Sequence, residues 1–207
     1  MTTQDTTLAE IRFHFDGTAH GAATDFALAQ NHEARVKAVQ KGVDFACAEL
    51  EKHSSKKQGL GEDAITLDIC SMLKMAGFQA SHDKYNNGHC DIVVDGKDTF
   101  VWLAEAKEHS NYAWLDKGFQ QLTTRYSTGT VGQDHGDVLI YCYNADAKTM
   151  LGKWRTELLQ RNGQVKVEAS PCGNPLVFCS TNKHIKSGLD FHVRHKALAL
   201  HWDPKDK

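Results

Sequence analysis

The stretch HCDIVVDGKDTFVWLAEAK, residues 89–107, decides the fold of this chain. Its first part, His89 to Val94, is rich in β-branched residues and alternates in polarity, which predicts a strand. Asp95-Gly96-Lys97-Asp98 predicts a hairpin turn, because Asp-Gly tolerates the positive φ values of tight turns. Thr99 to Lys107 is then the return strand, and the sequence predicts a β-hairpin.

Charged side chains are concentrated at one end of this hairpin. Because side chains alternate along a strand, Val101, Leu103, Glu105 and Lys107 share one face. Half-buried charges must be paired or must bind something, and Asp91 adds a second carboxylate. Two oxygen ligands beside an ammonium suit a hard divalent cation and the phosphate that it activates.

Asp91, followed after thirteen residues by Glu105-Ala106-Lys107, resembles the signature of the PD-(D/E)XK phosphodiesterases, which include restriction endonucleases and RecB-type exonucleases. The resemblance covers roughly residues 61–143. It implies that Asp91 and Glu105 hold Mg²⁺, with Mn²⁺ able to substitute, and that Lys107 orients the attacking water and supports the phosphorane charge. One departure is Cys90, which stands where the motif has proline.

Glu62 is a further candidate metal ligand. Residues 62–76 carry apolar side chains at helical spacing, Glu62 extends the same stripe backwards, and Gly77 ends the helix. Relatives often carry an acidic residue on this helix, so the resemblance gives Glu62 a place in the metal shell. The alternative is that Glu62 only favours the positive end of the helix dipole.

Gln121 is the fourth candidate catalytic residue. Residues 111–126 predict a helix whose core stripe is Leu115, Phe119, Leu122 and Tyr126. Many relatives have Gln-Leu here, with the glutamine contacting the catalytic lysine or the substrate phosphate, and this role falls on Gln121. Gln120 is the competing candidate. The RecB-type tyrosine position is Arg125 here, with the tyrosine one residue later.

The expected fold class is α/β: a restriction-endonuclease-like mixed sheet flanked by helices, with an N-terminal strand and helix and C-terminal β extensions. One domain is expected over residues 1–207, with the nuclease core at about 61–143. The other predicted elements are strands at 11–15, 78–82, 137–143, 165–167 and 176–180, helices at 36–50 and 145–160, and either a hairpin or one long strand within 191–202.

Composition limits the classes of protein that the chain can belong to. No run approaches the length of a membrane span, and Met1–Asp5 has neither the basic nor the apolar part of a secretory signal. The six cysteines, Cys172 among them, are scattered and lie mostly in apolar runs. Reduced core cysteines suggest a cytoplasmic protein. The cysteines form no C-x-x-C pair, so no structural zinc site is expected, and the histidine spacings match no zinc signature.

A net charge of −2 argues against a strongly basic nucleic-acid coat, although DNA contact needs only a local positive surface. One candidate surface is Lys52–Lys57, for which a solvated linker is the alternative interpretation. The other is Lys183–Gly188, together with Arg194, His195 and Lys196.

The resemblance thus implies a Mg²⁺-dependent DNA nuclease, an endonuclease by preference, and phage defence or restriction by family analogy. A homodimer or a partner subunit of a defence complex is the assembly that it suggests. Two alternatives remain: an inactive nuclease-fold module for nucleic-acid binding or assembly, and a hydrolase of small phosphodiesters. The intact set of Asp91, Glu105 and Lys107 argues against the inactive module.

Overall fold

The computed structural model describes residues 6–170 and 173–206, which form an α/β fold with a seven-stranded mixed sheet flanked by helices. In chain order the elements are α1 (Leu8–Phe15), α2 (Ala19–Leu28), α3 (His32–Lys52), a 3₁₀ turn (Ser54–Lys56), α4 (Glu62–Ala76), β1 (Gln79–Tyr85), β2 (His89–Asp95), β3 (Val101–Glu108), α5 (Tyr112–Gln120) with a π-helical turn (Gln121–Tyr126), β4 (His135–Cys142), α6 (Ala147–Arg161), β5 (Lys166–Ala169), β6 (Val177–Lys183) and β7 (Asp190–Ala199).

The strands lie in the order β1-β2-β3-β4-β7-β6-β5. β4 runs parallel to both of its neighbours, β3 and β7, and the remaining pairs are antiparallel. A parallel central strand is covered on both faces, which explains why β4 is buried from Gly136 to Cys142. Because β3 and β4 are parallel neighbours, their carboxyl ends lie side by side.

Two apolar cores cover the two faces of the sheet. On β3, Trp102 and Ala104 pack against the core that contains α3 and α4, whereas Leu103 packs against the core that contains α5 and α6. Val101 packs on the same side as Leu103. This alternation confirms the predicted division of β3 into two faces.

The helix that precedes β1 begins and ends at the predicted residues. α4 covers Glu62–Ala76, and Gly77 caps it in the left-handed conformation with a φ of 110°. Glycine adopts that conformation without the steric cost that a Cβ brings. α3 begins earlier than its apolar stripe, at His32, because the Asn31 side chain caps it by accepting a hydrogen bond from the Ala34 amide.

The predicted N-terminal strand is wrong. Residues 11–15 belong to α1, which begins with a capping box in which the Thr7 hydroxyl accepts from the Glu10 amide and the Glu10 carboxylate accepts from the Thr7 amide. Two satisfied amides at the helix start outweigh a short alternation of apolar residues. α2 is a further helix that the sequence patterns did not predict.

The predicted turn between β2 and β3 is present, but its positive φ values fall on Asp98 (56°) and Thr99 (62°). Gly96 has another reason to be glycine: a Cβ there would lie 2.8 Å from the Phe26 ring and 2.9 Å from the Phe100 ring. β3 consequently begins at Val101, two residues later than predicted.

The C-terminal alternatives resolve into one strand, β7, between β4 and β6 in the sheet. This position removes Arg194, His195 and Lys196 from the second candidate DNA surface, because all three are buried. Arg194 pairs with Asp137 and Asp44, and Lys196 also pairs with Asp44. The charges of Arg194 and Lys196 are therefore paired inside the protein.

In residues 6–170 and 173–206, no helix combines the length and apolar character that crossing a membrane requires. Cys47, Cys70, Cys90 and Cys142 are buried, as their apolar surroundings predicted. Cys172 and the segment Met1–Asp5 lie outside the described residues.

Candidate active site

Asp91 and the Glu105–Lys107 segment lie together where β2 separates from β3. Regular pairing between these strands begins with Ile92 and Ala104, so Asp91 is just beyond it. The Asp91 side chain bridges the gap, because its Oδ2 accepts a hydrogen bond from the Ala106 amide at 2.7 Å. The backbone of β3 therefore holds this carboxylate next to Glu105 and Lys107.

Three carboxylates surround the ammonium of Lys107. Its Nζ lies 2.7 Å from Glu105 Oε1, 3.2 Å from Glu62 Oε1 and 4.0 Å from Asp91 Oδ2. It also donates to the Ala106 carbonyl at 2.8 Å. The structure thus brings together four of the five site residues that the sequence indicated.

The site is closed at its base and open at its rim. The side chains of Glu105 and Lys107 are 1% and 5% exposed, whereas those of Asp91 and Glu62 are 28% and 29% exposed. Glu105 Oε2 is buried and has no hydrogen-bond partner within the part of the chain that the structure describes. An unpaired buried carboxylate oxygen is costly, and a cation bound among these carboxylates would offset that cost.

The electrostatics show an excess of negative charge. Burial, and then the nearby Asp91 carboxylate, raise the pKa of Glu105 to about 8. Burial also raises the pKa of Asp91. Burial alone would lower the pKa of Lys107, but Glu105, Asp91 and Glu62 together raise it. One ammonium does not neutralise three carboxylates, and a bound cation would favour the ionised form of each.

Glu62 bridges α4 and the end of β3. Besides its contact with Lys107, its Oε2 accepts a hydrogen bond from the Glu108 amide at 2.7 Å. The neighbouring acids point elsewhere, as the helical phase predicted: Asp63 pairs with His82 and Asp68 with Lys57. A role at the helix dipole alone requires no such contacts across to β3.

α5 packs closely over the site because it has glycine at position 118. A Cβ there would lie 2.8 Å from Lys107 Cγ and 3.4 Å from Glu105 Cγ. The Trp114 ring centroid lies 5.4 Å from Lys107 Nζ, a cation–π distance. The helix thereby excludes water from the base of the site.

The two candidate glutamines have different partners. Gln120 Nε2 donates to Asn162 Oδ1 at 2.6 Å, which ties α5 to the end of α6. Gln121 Nε2 donates to the Tyr126 hydroxyl at 2.8 Å, and the pKa of that hydroxyl is raised first by burial and then by Glu105. Gln121 therefore contacts a hydroxyl that lies within the electrostatic influence of Glu105.

A second group of side chains that could hold a metal ion lies at the other end of β4. Ligand atoms of His32, Asp134 and His135 all lie within 4.8 Å of one another. Histidine spacing did not predict this group, because His32 is 103 residues from His135 in the chain. Only the adjacent pair Asp134-His135 was visible as a local signal.

This chain was compared with protein-family models, curated proteins and solved structures. No protein-family model, curated protein or solved structure matches this chain. What the chain does must therefore be inferred from the chemistry of its own residues.

Proposed function

We propose that this protein is a Mg²⁺-dependent DNA nuclease of the PD-(D/E)XK type, with Glu62, Asp91 and Glu105 as metal ligands. Lys107 is the catalytic cation and Gln121 positions groups beside it. Mn²⁺ should substitute for Mg²⁺, because both ions accept hard oxygen ligands.

One observation carries the proposal: three carboxylates from α4, β2 and β3 converge on one buried ammonium. Stability alone does not explain this arrangement, because the free energy of removing charges from water often exceeds the attraction gained by a buried ion pair. The unpaired Glu105 Oε2 adds a donor atom for a hard cation. The residues present therefore fit a magnesium site.

A bound divalent cation supplies a Lewis acid that acidifies water and neutralises phosphate charge. The chain's own side chains would stabilise charge and hold the metal ligands in place. Lys107 presents a fixed ammonium on the side of β3 that faces α5, where it stabilises negative charge added at phosphorus. Asp91 and Glu62 are held in place by the Ala106 and Glu108 amides, so little reorganisation is needed when substrate binds.

The order of elements supports the same family. α4 bears Glu62, β2 bears Asp91, β3 bears Glu105 and Lys107, and α5 leads into the turn that bears Gln121. The PD-(D/E)XK resemblance implies this succession of acidic helix, Asp strand, E-x-K strand and glutamine helix. A restriction-endonuclease-like core over about residues 61–143 is therefore part of the proposal.

The loop Lys183–Gly188 is the proposed DNA contact. Lys186 Nζ donates to the carbonyls of Arg125 and Ser127, which places this loop beside the turn that carries Gln121. Lys52 and Lys57 pair with Glu49 and Asp68, and Lys183 pairs with Asp190 in the same way, so the position of Lys186 rather than free charge favours the second segment. A homodimer or a subunit of a phage-defence complex is the proposed assembly.

Cleavage assays separate this proposal from its alternatives. The 207-residue chain is incubated with plasmid, linear duplex, single-stranded DNA and RNA, over a titration of Mg²⁺ and in excess EDTA. We expect cleavage of DNA with Mg²⁺ and none with EDTA. Binding of DNA without cleavage would instead favour the inactive module, and hydrolysis of bis-p-nitrophenyl phosphate alone would favour the small-phosphodiesterase alternative.

A further inference from the structure

The start of α3 and the start of β4 meet at a cluster of two imidazoles and one carboxylate. His32 Nε2 lies 2.6 Å from Asp134 Oδ1, and His135 Nδ1 lies 2.8 Å from the same oxygen. The two ring nitrogens are 3.2 Å apart. Three ligand atoms therefore surround one point.

The protons in this triangle can be arranged in two ways. If both ring nitrogens donate to Asp134, the two protons converge on one carboxylate oxygen, with the nitrogens 3.2 Å apart. If only one is protonated, the lone pair of the other faces the carboxylate oxygen. A cation above the three atoms would be attracted to all of them, and the three ligand atoms are close enough together to hold one.

The dimensions fit a tetrahedral ion. Zinc binds histidine nitrogen and carboxylate oxygen at about 2.0–2.2 Å, which places ligand atoms about 3.3 Å apart. The observed separations of 2.6, 2.8 and 3.2 Å open to that value with movements below about 1 Å. Each of the three side chains is about a quarter exposed, so water can occupy the fourth position.

Packing and backbone contacts orient the ligands. The His135 ring stacks on His192 at 4.7 Å, and the His32 ring packs on Phe100 at 5.2 Å. The Asp134 carbonyl accepts a hydrogen bond from the His192 amide at 2.8 Å. His32 Nδ1 has no partner within residues 6–170 and 173–206, so packing rather than a hydrogen bond fixes that ring.

The cluster is separate from the carboxylates around Lys107. Glu105 pairs with Val138 and Lys107 with Ile140, whereas His135 begins β4. Val138 is three residues beyond His135, about 10 Å along a strand. An ion at one site cannot share ligands with an ion at the other.

We propose that His32, Asp134 and His135 bind one zinc ion, with water as the fourth ligand. Two imidazoles and one carboxylate select zinc over magnesium, which requires oxygen ligands. The ion joins the first turn of α3 to the first residue of β4. Because these ligands are distant in sequence, it binds the folded chain far better than the unfolded one and stabilises it.

Cobalt(II) tests this site independently of nuclease activity. The untagged 207-residue chain is stripped with EDTA, dialysed, and titrated with Co²⁺ in excess Mg²⁺, which would occupy the proposed oxygen-ligand site. We expect one equivalent of Co²⁺ to give the intense visible absorption of a tetrahedral site, and Zn²⁺ to displace it and raise the melting temperature.

Variants identify the ligands. Asp134→Asn keeps the shape of the side chain, and His32→Ala removes a partly exposed ring, with folding checked by circular dichroism. Each should weaken Co²⁺ binding by at least about 100-fold, the upper range for losing even an outer contact. His89→Ala, which removes a histidine that pairs with a single aspartate, should leave binding unchanged. Absence of the tetrahedral spectrum in wild type, or an undiminished one in Asp134→Asn, would overturn the proposal.

Discussion

Lys107 Nζ lies 2.7 Å from Glu105 Oε1, and both side chains are buried on the same face of β3. Positions two apart on a strand point to the same side, so the E-x-K spacing itself produces the contact. The ammonium thereby remains next to the carboxylates without needing a coordination position of its own.

Lys107→Met should remove most catalysis and leave Mg²⁺ binding nearly intact. The substitution keeps the length of the side chain and removes its charge, and losing one preorganised electrostatic group costs about 10²–10³-fold in rate. Cleavage rates at saturating Mg²⁺ measure this effect. Lys117→Met is the control, because Lys117 Nζ also lies over the Trp114 ring, 4.7 Å from the ring centroid. A Lys107→Met enzyme with close to the wild-type rate would make Lys107 structural.

Glu62→Gln should raise the Mg²⁺ concentration needed for half-maximal cleavage by about 10- to 100-fold, the cost of losing a group in or beside a metal shell. Asp63→Asn is the matched control: Asp63 is in the same first turn but is 87% exposed and pairs with His82. Both acids are equivalent with respect to the helix dipole. Equal effects of the two substitutions would reduce Glu62 to a dipole role.

Gly118→Ala should destabilise the protein and slow cleavage. Replacing glycine by alanine within a helix normally stabilises by about 0.5–1 kcal/mol. At position 118, however, the new Cβ would lie 2.8 Å from Lys107 Cγ, and such overpacking costs about 1–3 kcal/mol. Gly152→Ala in α6 is the control, because no described atom lies within 4 Å of its added Cβ. Urea unfolding should show a lower free energy of unfolding for Gly118→Ala and a higher one for Gly152→Ala. Equal stabilisation by the two substitutions would mean that α5 can shift to accommodate the added Cβ.

His195 should make the protein sensitive to acid. It accepts a hydrogen bond from Trp154 Nε1 at Nδ1, and its Nε2 contacts Ser180 Oγ, so the ring is neutral with the proton on Nε2. Burial lowers its pKa from 6.5 to about 3. The unfolded chain therefore binds a proton that the folded one does not, and stability that is complete above about pH 6.5 is lost as the pH falls towards 3.

The slope of this loss approaches about 1.4 kcal/mol per pH unit, the free energy of one pKa unit. Urea unfolding of wild type and His195→Gln between pH 7.5 and 5 measures it. The variant should be less stable at neutral pH but lose less stability on acidification. If the free energy of unfolding fell equally with pH in both proteins, groups other than His195 would cause the acid sensitivity.

The sequence predicted those parts of the fold whose causes are local. α4 has its apolar stripe and terminal glycine within one segment, and β2 and β3 have their alternation and turn residues within nineteen positions, 89–107. The N-terminal strand failed for the same reason: a five-residue alternation was weighed without the capping box of Thr7 and Glu10 that makes α1 a helix.

What sequence patterns did not predict depends on distant partners. Arg194 and Lys196 look like surface cations, but they are buried against Asp44, which approaches from α3. His32 likewise meets Asp134 and His135 only after α3 packs beside the start of β4. In the candidate active site, Gly118 was not identified, because a close approach between α5 and Lys107 has no signature in a single sequence.

The most direct test of the central claim is the rate of plasmid cleavage by wild type and by Glu105→Gln, each measured with Mg²⁺ and with excess EDTA. Glutamine keeps the shape of the side chain but removes the charge that holds the metal. We expect cleavage by wild type with Mg²⁺ alone, and a Glu105→Gln protein that melts at a similar temperature yet cleaves at least about 10²-fold more slowly. Undiminished cleavage in EDTA, or close to the wild-type rate from Glu105→Gln, would contradict a metal-dependent nuclease site at Asp91, Glu105 and Lys107.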